Sequence, residues 1–281
     1  MLPSLTQLKK GPGAGSPTRW GELPDEIKRV ILVKSIELNT VKSLISSLCK
    51  TNKEFAAFCQ ENGVFPALLK SFGWNKPWVA GLDAKTAFKM LRNLSEKQQE
   101  YVRNWNDSTT MIFKFSFQDS HELQLTTLPP NVTHIEWGAF RGCEKLALAA
   151  LPETLYKIGL SAFSGCVSLA LTTLPDTVTS IGSFAFYGCN NITLTSLPAA
   201  ITSINDLTFS GCNKLALTTL PVGLTYIGSH AFKGCHNLAL TALPDALVHI
   251  GTGAFFGCTN LPTNVQTAIK NINPAAMYMF Q

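Results

Sequence analysis

The chain has 281 residues, 46% of them hydrophobic, and a formal net charge of +5. This length predicts about two domains, and the apolar content excludes a wholly disordered chain. Residues 1–104 carry 16 basic and 9 acidic side chains whereas residues 105–281 carry 7 and 9, so the larger part lacks the clustered positive charge that nucleic-acid binding needs and we expect no such partner.

Residues 1–20 are rich in Gly, Pro and Ser, and we expect them to be disordered. No apolar run precedes a small-residue cleavage site as in a signal peptide, and no run approaches about 18 apolar residues. We therefore expect a cytoplasmic protein without a membrane partner.

Residues 21–104 predict a small helical module, because apolar residues recur there at helical spacing between Gly, Asn and Pro breaks. In the first helix Ile27, Val30 and Ile36 project to more than one side, which predicts that a partner covers the surplus apolar face. The predicted helices span about 25–38, 40–50, 52–61, 65–72 and 84–103.

The same module starts with Leu-Pro-Asp-Glu-Ile at Leu23 and continues with Leu-Cys-Lys at Leu48. This pattern resembles an F-box, and the resemblance implies docking on the Skp-type adaptor of a cullin-RING ubiquitin ligase. The gap from Pro24 to Cys49 is longer than the family's usual one, and Thr51 stands where a Trp is common. The alternative is a helical cap that shields the first repeat. The implied docking face consists of Leu23, Pro24, Ile27, Ile31, Leu44, Leu48, Cys49, Lys50 and Phe55.

Residues 105–281 repeat with a period of 23 residues. A fixed period of this length predicts a solenoid in which each 23-residue coil buries its apolar face against its neighbours. A degenerate capping coil is predicted from Trp105, because Ile112, Phe117, Leu123 and Leu125 lie 23 residues before equivalent apolar positions. The blocks begin at Leu128, Leu151, Leu174, Leu197, Leu220 and, truncated, Leu243.

The shared motif is L-P-x-x-[VLI]-x-x-I-x-x-x-[AT]-F-x-G-C-x-x-[LI]-x-L. It resembles the BspA-like subfamily of leucine-rich repeats. The Leu-x-Leu segment predicts a short strand with both leucines inward, as at Leu146 and Leu148. The recurring Phe predicts a stack of rings inside the coils, and the Gly before each Cys predicts a turn with positive φ.

Six cysteines, Cys143, Cys166, Cys189, Cys212, Cys235 and Cys258, share the 23-residue spacing. Coils about 4.8 Å apart would bring neighbouring thiols within bridging range, so geometry alone leaves disulfides open. Without an export signal we favour buried free thiols that donate weakly to neighbouring turns. We predict no catalytic residue and no metal ligand, because equivalent thiols along a stack offer neither an activated nucleophile nor a tetrahedral ligand set.

After the last coil, residues 263–272 predict a capping helix. Val265, Ala268, Ile269 and Ile272 lie at helical spacing, and Thr263 or Asn264 could cap its first turn.

Solenoids bind partners through positions that vary between repeats. Two columns vary most in chemistry, those of His134 and of Arg141, and a third of Lys145 lies beside Leu-x-Leu. Aromatic residues and Arg dominate protein interfaces. We therefore predict Trp137, Arg141, Tyr187 and Tyr226 as the target contacts.

Together these features predict an α+β protein, with a small helical module at residues 21–104 and a leucine-rich-repeat solenoid at 105–281 that ends in a capping helix. The combination predicts a non-enzymatic, cofactor-free interaction protein that recognises an unknown target and serves as the substrate-recognition subunit of a Skp/cullin/F-box ligase. A prokaryotic or viral source would make it an effector in the cytoplasm of a host cell. The alternatives are a binding scaffold or adhesin without a ligase link, and a cysteine-dependent ligase.

Overall fold

The computed structural model describes Met90 and residues 93–278, and the latter range belongs to one compact unit. The predicted disordered segment 1–20, the predicted helices between 25 and 72 and the F-box-like positions lie outside the described residues. None of the helices in the described part combines the length and the apolar character that spanning a bilayer requires.

Helix α1 (Glu96–Arg103) precedes the coils. The prediction of one continuous helix over 84–103 is wrong, because Leu94 and Ser95 interrupt it. The Ser95 hydroxyl accepts a hydrogen bond from the Gln98 N–H, and the Gln98 side chain accepts one from the Ser95 N–H. This capping box satisfies two backbone donors and starts a new helix.

Each coil contributes one very short strand to a parallel ladder that runs along the stack. Neighbouring strands pair in a register of 23 residues, for example Ile112 with Ile135 and Ile135 with Ile158. The first four strands form one sheet and the last three another. The strands are β1 (Met111–Ile112), β2 (His134–Ile135), β3 (Lys157–Ile158), β4 (Ser180–Ile181), β5 (Ser203–Ile204), β6 (Tyr226–Ile227) and β7 (His249–Ile250).

The strand predicted at Leu-x-Leu is therefore in the wrong segment, although its side-chain directions are confirmed. Leu146 and Leu148 are fully buried and Ala147 is exposed. From Ala170 to Ala239 the middle residue of each such segment donates a backbone hydrogen bond to the preceding coil, as Ala170 N–H does to Leu148 O at 3.4 Å. Each coil has two segments whose side chains alternate between buried and exposed, namely Leu-x-Leu and the segment that contains the observed strand. The backbone pairs as a strand only in the second of these.

A break in the ladder between β4 and β5 coincides with Asn205. In regular coils a glycine N–H donates to the isoleucine carbonyl of the preceding coil, as Gly182 does to Ile158 O at 2.9 Å. At the break the side-chain amide of Asn205 donates to Ile181 O at 2.7 Å instead. The side chain replaces the backbone donor, so the coils stay joined although the strand pairing is interrupted.

The predicted aromatic stack is confirmed. Seven phenylalanines, one per coil, are fully buried with ring centroids 5.4–5.8 Å apart from coil to coil. Tyr101 of α1 and Trp105 pack against the first ring at 5.8 and 5.5 Å and cover that end of the stack. The stacked rings are Phe117, Phe140, Phe163, Phe186, Phe209, Phe232 and Phe255.

The turns that carry these rings join the coils on a second side. Phe140 N–H donates to Ala162 O of the following coil at 2.8 Å, and Gly142 N–H donates to Ser164 O at 2.7 Å. Gly142 has φ 73°, and its equivalents from Gly165 to Gly257 share this left-handed conformation, as predicted. Backbone hydrogen bonds therefore fix both the strand side and the turn side of the coil.

The predicted C-terminal helix is confirmed as α2 (Thr263–Ile272), with Val265 and Ile269 buried. Two details are wrong: neither Thr263 nor Asn264 caps it, since Pro262 holds the N-cap position without a side-chain bond, and Ile272 is exposed. A 3₁₀ helix (Pro274–Met277) follows. Its carbonyls accept from Gly253 and Phe255, so this segment takes the place of the next turn at the end of the stack.

Candidate functional site

The cysteine column is an internal hydrogen-bonded feature of the stack. Each of the six thiols is buried and free, and its Sγ donates to the phenylalanine carbonyl 26 residues earlier. The Cys143 Sγ lies 3.0 Å from Phe117 O, and the other five distances are 3.0–3.1 Å. The prediction that these cysteines donate to neighbouring turns is confirmed.

Burial also determines the chemistry of these thiols. Desolvation raises the pKa of the Cys258 thiol to about 12 and raises the pKa of the other five well above the ordinary 9.0. Since the thiolate is the nucleophile and the metal ligand, protonated thiols bonded to carbonyls cannot take either role at neutral pH. No three His, Cys, Asp or Glu side chains come together as a metal site within residues 93–278.

All four predicted target contacts lie at the surface. Trp137 is 48% exposed, Tyr187 44% and Tyr226 36%, and Arg141 is also exposed. Trp137 and Arg141 flank the Phe turn of the first full coil, and Tyr187 occupies the position of Arg141 two coils further along. Their exposure permits contact with a partner, and their role as contacts stays a prediction.

The structure does not bring the four residues into one cluster. Tyr226 lies on β6, four coils from Trp137, and its ring stacks on His249 at 4.6 Å with a 5° interplanar angle. Tyr187 contacts Phe184 at 6.0 Å. Ser210, from the same variable column as Arg141, is buried and cannot reach a partner. The variable columns therefore offer separate contact points along the stack.

The third variable column connects coils with each other. Lys145 Nζ lies 2.7 Å from Glu122 Oε1, and Lys214 Nζ donates to Asn191 Oδ1 at 2.8 Å. Each of these pairs spans 23 residues and so joins equivalent positions of adjacent coils. Differences between coils in this column therefore change the contacts between coils as well as the exposed surface.

Exposed apolar residues next to Trp137 were missed at the sequence level. Phe113, Phe115 and Leu160 are exposed, and the Phe115 ring lies 4.8 Å from the Trp137 ring. Phe113 and Phe115 belong to the degenerate capping coil, where the repeat motif is hardest to align. One feature of the sequence could have revealed them, because Phe115 occupies the column in which the next coil has Gly138. Bulky exposed side chains at such positions are not required by the stacked core.

Comparison with known families gives one match. A family model described as "BspA type Leucine rich repeat region" matches the chain in 6 copies, over residues 87–215 and 138–262. The two ranges together cover more than half of the chain and include the coils of the structure. No curated protein matches the chain.

Several solved bacterial structures are similar to parts of the chain. A leucine-rich repeat protein from Bacteroides ovatus is 22% identical with a TM-score of 0.39, and the match covers 56% of this chain and 64% of that one. The leucine-rich repeat protein of T. pallidum is 26% identical with a TM-score of 0.38, covering 59% and 77%. One from Eubacterium ventriosum is 28% identical with a TM-score of 0.46, covering 55% and 42%. The chain thus spans less than two thirds of the first and third of these proteins.

Proposed function

The chain belongs to the BspA-type leucine-rich repeat family, and on that basis we propose that it is a protein-binding scaffold that performs no chemistry of its own. One observation carries the proposal: large exposed side chains vary from coil to coil while the buried positions repeat. Phe140 and its equivalents are fully buried in every coil, whereas Trp137, Leu160 and Ser183 share one surface column. A regular core with an irregular surface is typical of repeat proteins that bind other proteins.

The rigidity of the stack supports this proposal. Backbone hydrogen bonds join neighbouring coils on the strand side and on the turn side, as from Gly159 to Ile135 O at 2.7 Å and from Phe140 to Ala162 O at 2.8 Å. A backbone that is already held in this way need not be ordered on binding, which favours affinity. Exposed aromatic residues and Arg are the types that contribute most to protein interfaces.

The proposal is tested by affinity purification of the full chain from the cells that express it, followed by quantitative mass spectrometry. The variant replaces Trp137, Arg141, Tyr187 and Tyr226 with alanine. A matched control replaces the exposed Thr172, Thr195, Thr218 and Thr241 with alanine. We expect specific proteins to be lost from the first variant and retained by the control. Identical captured sets for both variants would contradict the scaffold proposal.

A narrower form of the proposal is that the scaffold is the substrate-recognition subunit of a Skp/cullin/F-box ubiquitin ligase. It is supported by the sequence pattern that begins at Leu23 and includes Leu48, Cys49 and Lys50. This form places the protein in a eukaryotic cytoplasm, that of a host cell if the chain is an effector. Its mechanism is proximity, because holding a target beside the ligase raises the local concentration of the target.

Co-purification of the full chain with a Skp-type adaptor tests the narrower form. The double variant Leu23→Ala with Ile27→Asp should lose the adaptor, whereas Trp137→Ala should retain it. If the unmodified chain fails to bind, or if the double variant still binds, the ligase link is refuted and the scaffold proposal stands alone.

A further inference from the structure

The two turns of each coil carry columns of opposite charge. The Phe turn holds the column of Arg141, and the Leu-Pro turn holds a column that starts at Asp107. Because the strand and the Leu-x-Leu segment run between the two turns, the columns lie on opposite sides of the stack. The Arg141 column consists of Gln118, Arg141, Ser164, Tyr187, Ser210, Lys233 and Phe256, and the Asp107 column consists of Asp107, Pro130, Glu153, Asp176, Ala199, Val222 and Asp245.

No described residue neutralises the charges of these columns. Arg141 and Lys233 form no ion pair within residues 93–278, whereas Lys145 of another column is paired with Glu122 at 2.7 Å. The side chains of the Asp107 column are all exposed, and its acids have no basic partner in the same range. Unpaired charges of opposite sign on two sides of one molecule favour association of copies, because complementary potentials steer and align two surfaces.

The charges of the two columns match in spacing along the stack. Arg141 and Lys233 are four coils apart, and so are Glu153 and Asp245. Four coils correspond to about 19 Å at the spacing of paired strands. A second copy that lies alongside in the same direction, shifted by one coil, would place its Glu153 opposite Arg141 and its Asp245 opposite Lys233. Both ion pairs would therefore form in the same register.

The side chains between these charges match in size in that register. Tyr187, which is 44% exposed, would face Ala199 of the second copy. Ser210 is only 4% exposed and leaves space between its larger neighbours in the column, and Val222 of the second copy, which is 85% exposed, would fill that space. A large side chain therefore meets a small one at both positions, as the close packing of a protein interface requires.

Other arrangements of the same two columns match less well. Without the shift of one coil, Lys233 would face the apolar Val222 and would have no carboxylate opposite it. With the second copy reversed in direction, its Asp176 carboxylate would face the buried Ser210, whereas in the parallel arrangement it faces Ser164, whose accessible hydroxyl can donate a hydrogen bond. Charge and size therefore select the parallel arrangement that is shifted by one coil.

We propose that the chain associates side by side with a second copy of itself, with the Arg141 column of one copy against the Asp107 column of the next. Because the two columns lie on opposite sides, each copy of such a pair keeps one column free, and further copies can add to form an open row. The contact is a strip about 19 Å long, which is too narrow to supply the roughly 800 Å² per partner of a stable interface. The association is therefore weak and sensitive to salt.

Sedimentation velocity of the full chain, measured over a range of concentrations, tests this association. At low ionic strength we expect the average mass to rise with concentration, and at about 1 M salt, where the screening length is about 3 Å, we expect a monomer. The double variant Arg141→Glu with Lys233→Glu should stay monomeric at low salt, because each reversed charge would face a carboxylate. Glu153→Lys with Asp245→Lys should stay monomeric for the converse reason.

A mixture of the two double variants is the most specific arm of the experiment. In an equimolar mixture the reversed Arg141 column of one variant faces the reversed Asp107 column of the other, so opposite charges meet again and association should return. The matched control Lys145→Glu with Lys214→Glu changes the net charge by the same amount in a different column, and it should associate like the unmodified chain.

Cysteine pairs test the register. A mixture of Ser164→Cys and Asp176→Cys chains should form a disulfide-linked dimer on mild oxidation that the unmodified chain does not form, because these positions would lie opposite each other. A mixture of Ser164→Cys and Val222→Cys chains should not form it, because that pair belongs to the reversed arrangement.

The proposal is overturned if the unmodified chain stays monomeric at low salt up to millimolar concentration, or if either double variant associates like the control. It is also overturned if the mixture of the two double variants stays monomeric, or if position 164 links to position 222 in preference to position 176. This inference goes beyond the scaffold function and does not rest on it. Failure of self-association leaves the scaffold function standing, because capture of other cellular proteins tests that function separately.

Discussion

Phe186 lies at the middle of the ring stack, and replacing it with alanine tests whether the stacked rings hold the coils together. The side chain is fully buried, with ring centroids 5.6 Å from Phe163 and 5.5 Å from Phe209. Removal of a buried phenylalanine side chain costs about 3–5 kcal/mol. The two ring pairs each contribute about 0.5–1.5 kcal/mol beyond burial, so we expect the loss of stability to lie towards the upper end of that range.

The loss is large compared with the total stability of about 5–15 kcal/mol for a folded domain. Each coil contacts only its neighbours, so the variant should also weaken the coupling between the coils before and after Phe186. Urea unfolding followed by circular dichroism measures the loss of stability. Hydrogen exchange measured on peptides locates it, and we expect the largest loss of protection in the coils of Phe163 and Phe209.

Tyr187→Ala is the control, because this neighbouring side chain is exposed and surface substitutions change stability by less than about 0.5 kcal/mol. A Phe186→Ala variant that loses less than about 1 kcal/mol, on the same scale as the control, would refute the reasoning. Uniform loss of protection along the whole stack would refute the nearest-neighbour part of it.

The cysteine column predicts destabilisation in alkali. Its thiols have a pKa of 9.0 in the unfolded chain and a raised pKa in the folded chain, to about 12 for Cys258. The folded state therefore keeps its full stability below pH 9 and loses part of it as the pH rises towards 12. The double variant Cys189→Ala with Cys212→Ala should make stability in urea unfolding fall less steeply with pH above pH 9, and an unchanged slope would count against this reasoning. Gly211→Ala should lower the free energy of unfolding by about 1–2 kcal/mol. This loss comes from the φ of 76° at Gly211 alone, because the new Cβ would make only ordinary contacts. Gly182→Ala should lower the free energy of unfolding in urea by more than Gly211→Ala does, since its Cβ would lie 2.6 Å from Leu160 N. A smaller loss for Gly182→Ala would show that the close approach of the coils at Gly182 does not determine the cost.

The periodic part of the fold could be predicted from the sequence because the period fixes burial. Leu146, Phe140 and Cys143 recur every 23 residues, and the buried environment of each is repeated from coil to coil. The period does not fix which backbone segment pairs as a strand, because Leu-x-Leu and the His134–Ile135 segment both alternate inward and outward. The choice depends on backbone hydrogen bonds that no side-chain pattern reports.

The deviations from the motif were harder to predict. Asn205 stands at a glycine position, and only the structure shows its amide replacing a backbone donor. The ring of Phe115 packs against that of Trp137 in the next coil, and a contact over 22 residues is invisible to local patterning. The break at Ser95 was predictable, because Ser-x-x-Gln is a capping-box signature that the helical periodicity around it obscured.

The central claim is that irregular exposed side chains on a regular stack contact another protein. Site-specific photo-crosslinking tests it most directly, with a benzophenone amino acid placed at Trp137 or, as a control, at the exposed Thr218, in cells that express the chain. We predict protein adducts from position 137 that are absent from position 218. Adducts that are equal at the two positions, or absent at position 137, would contradict the account.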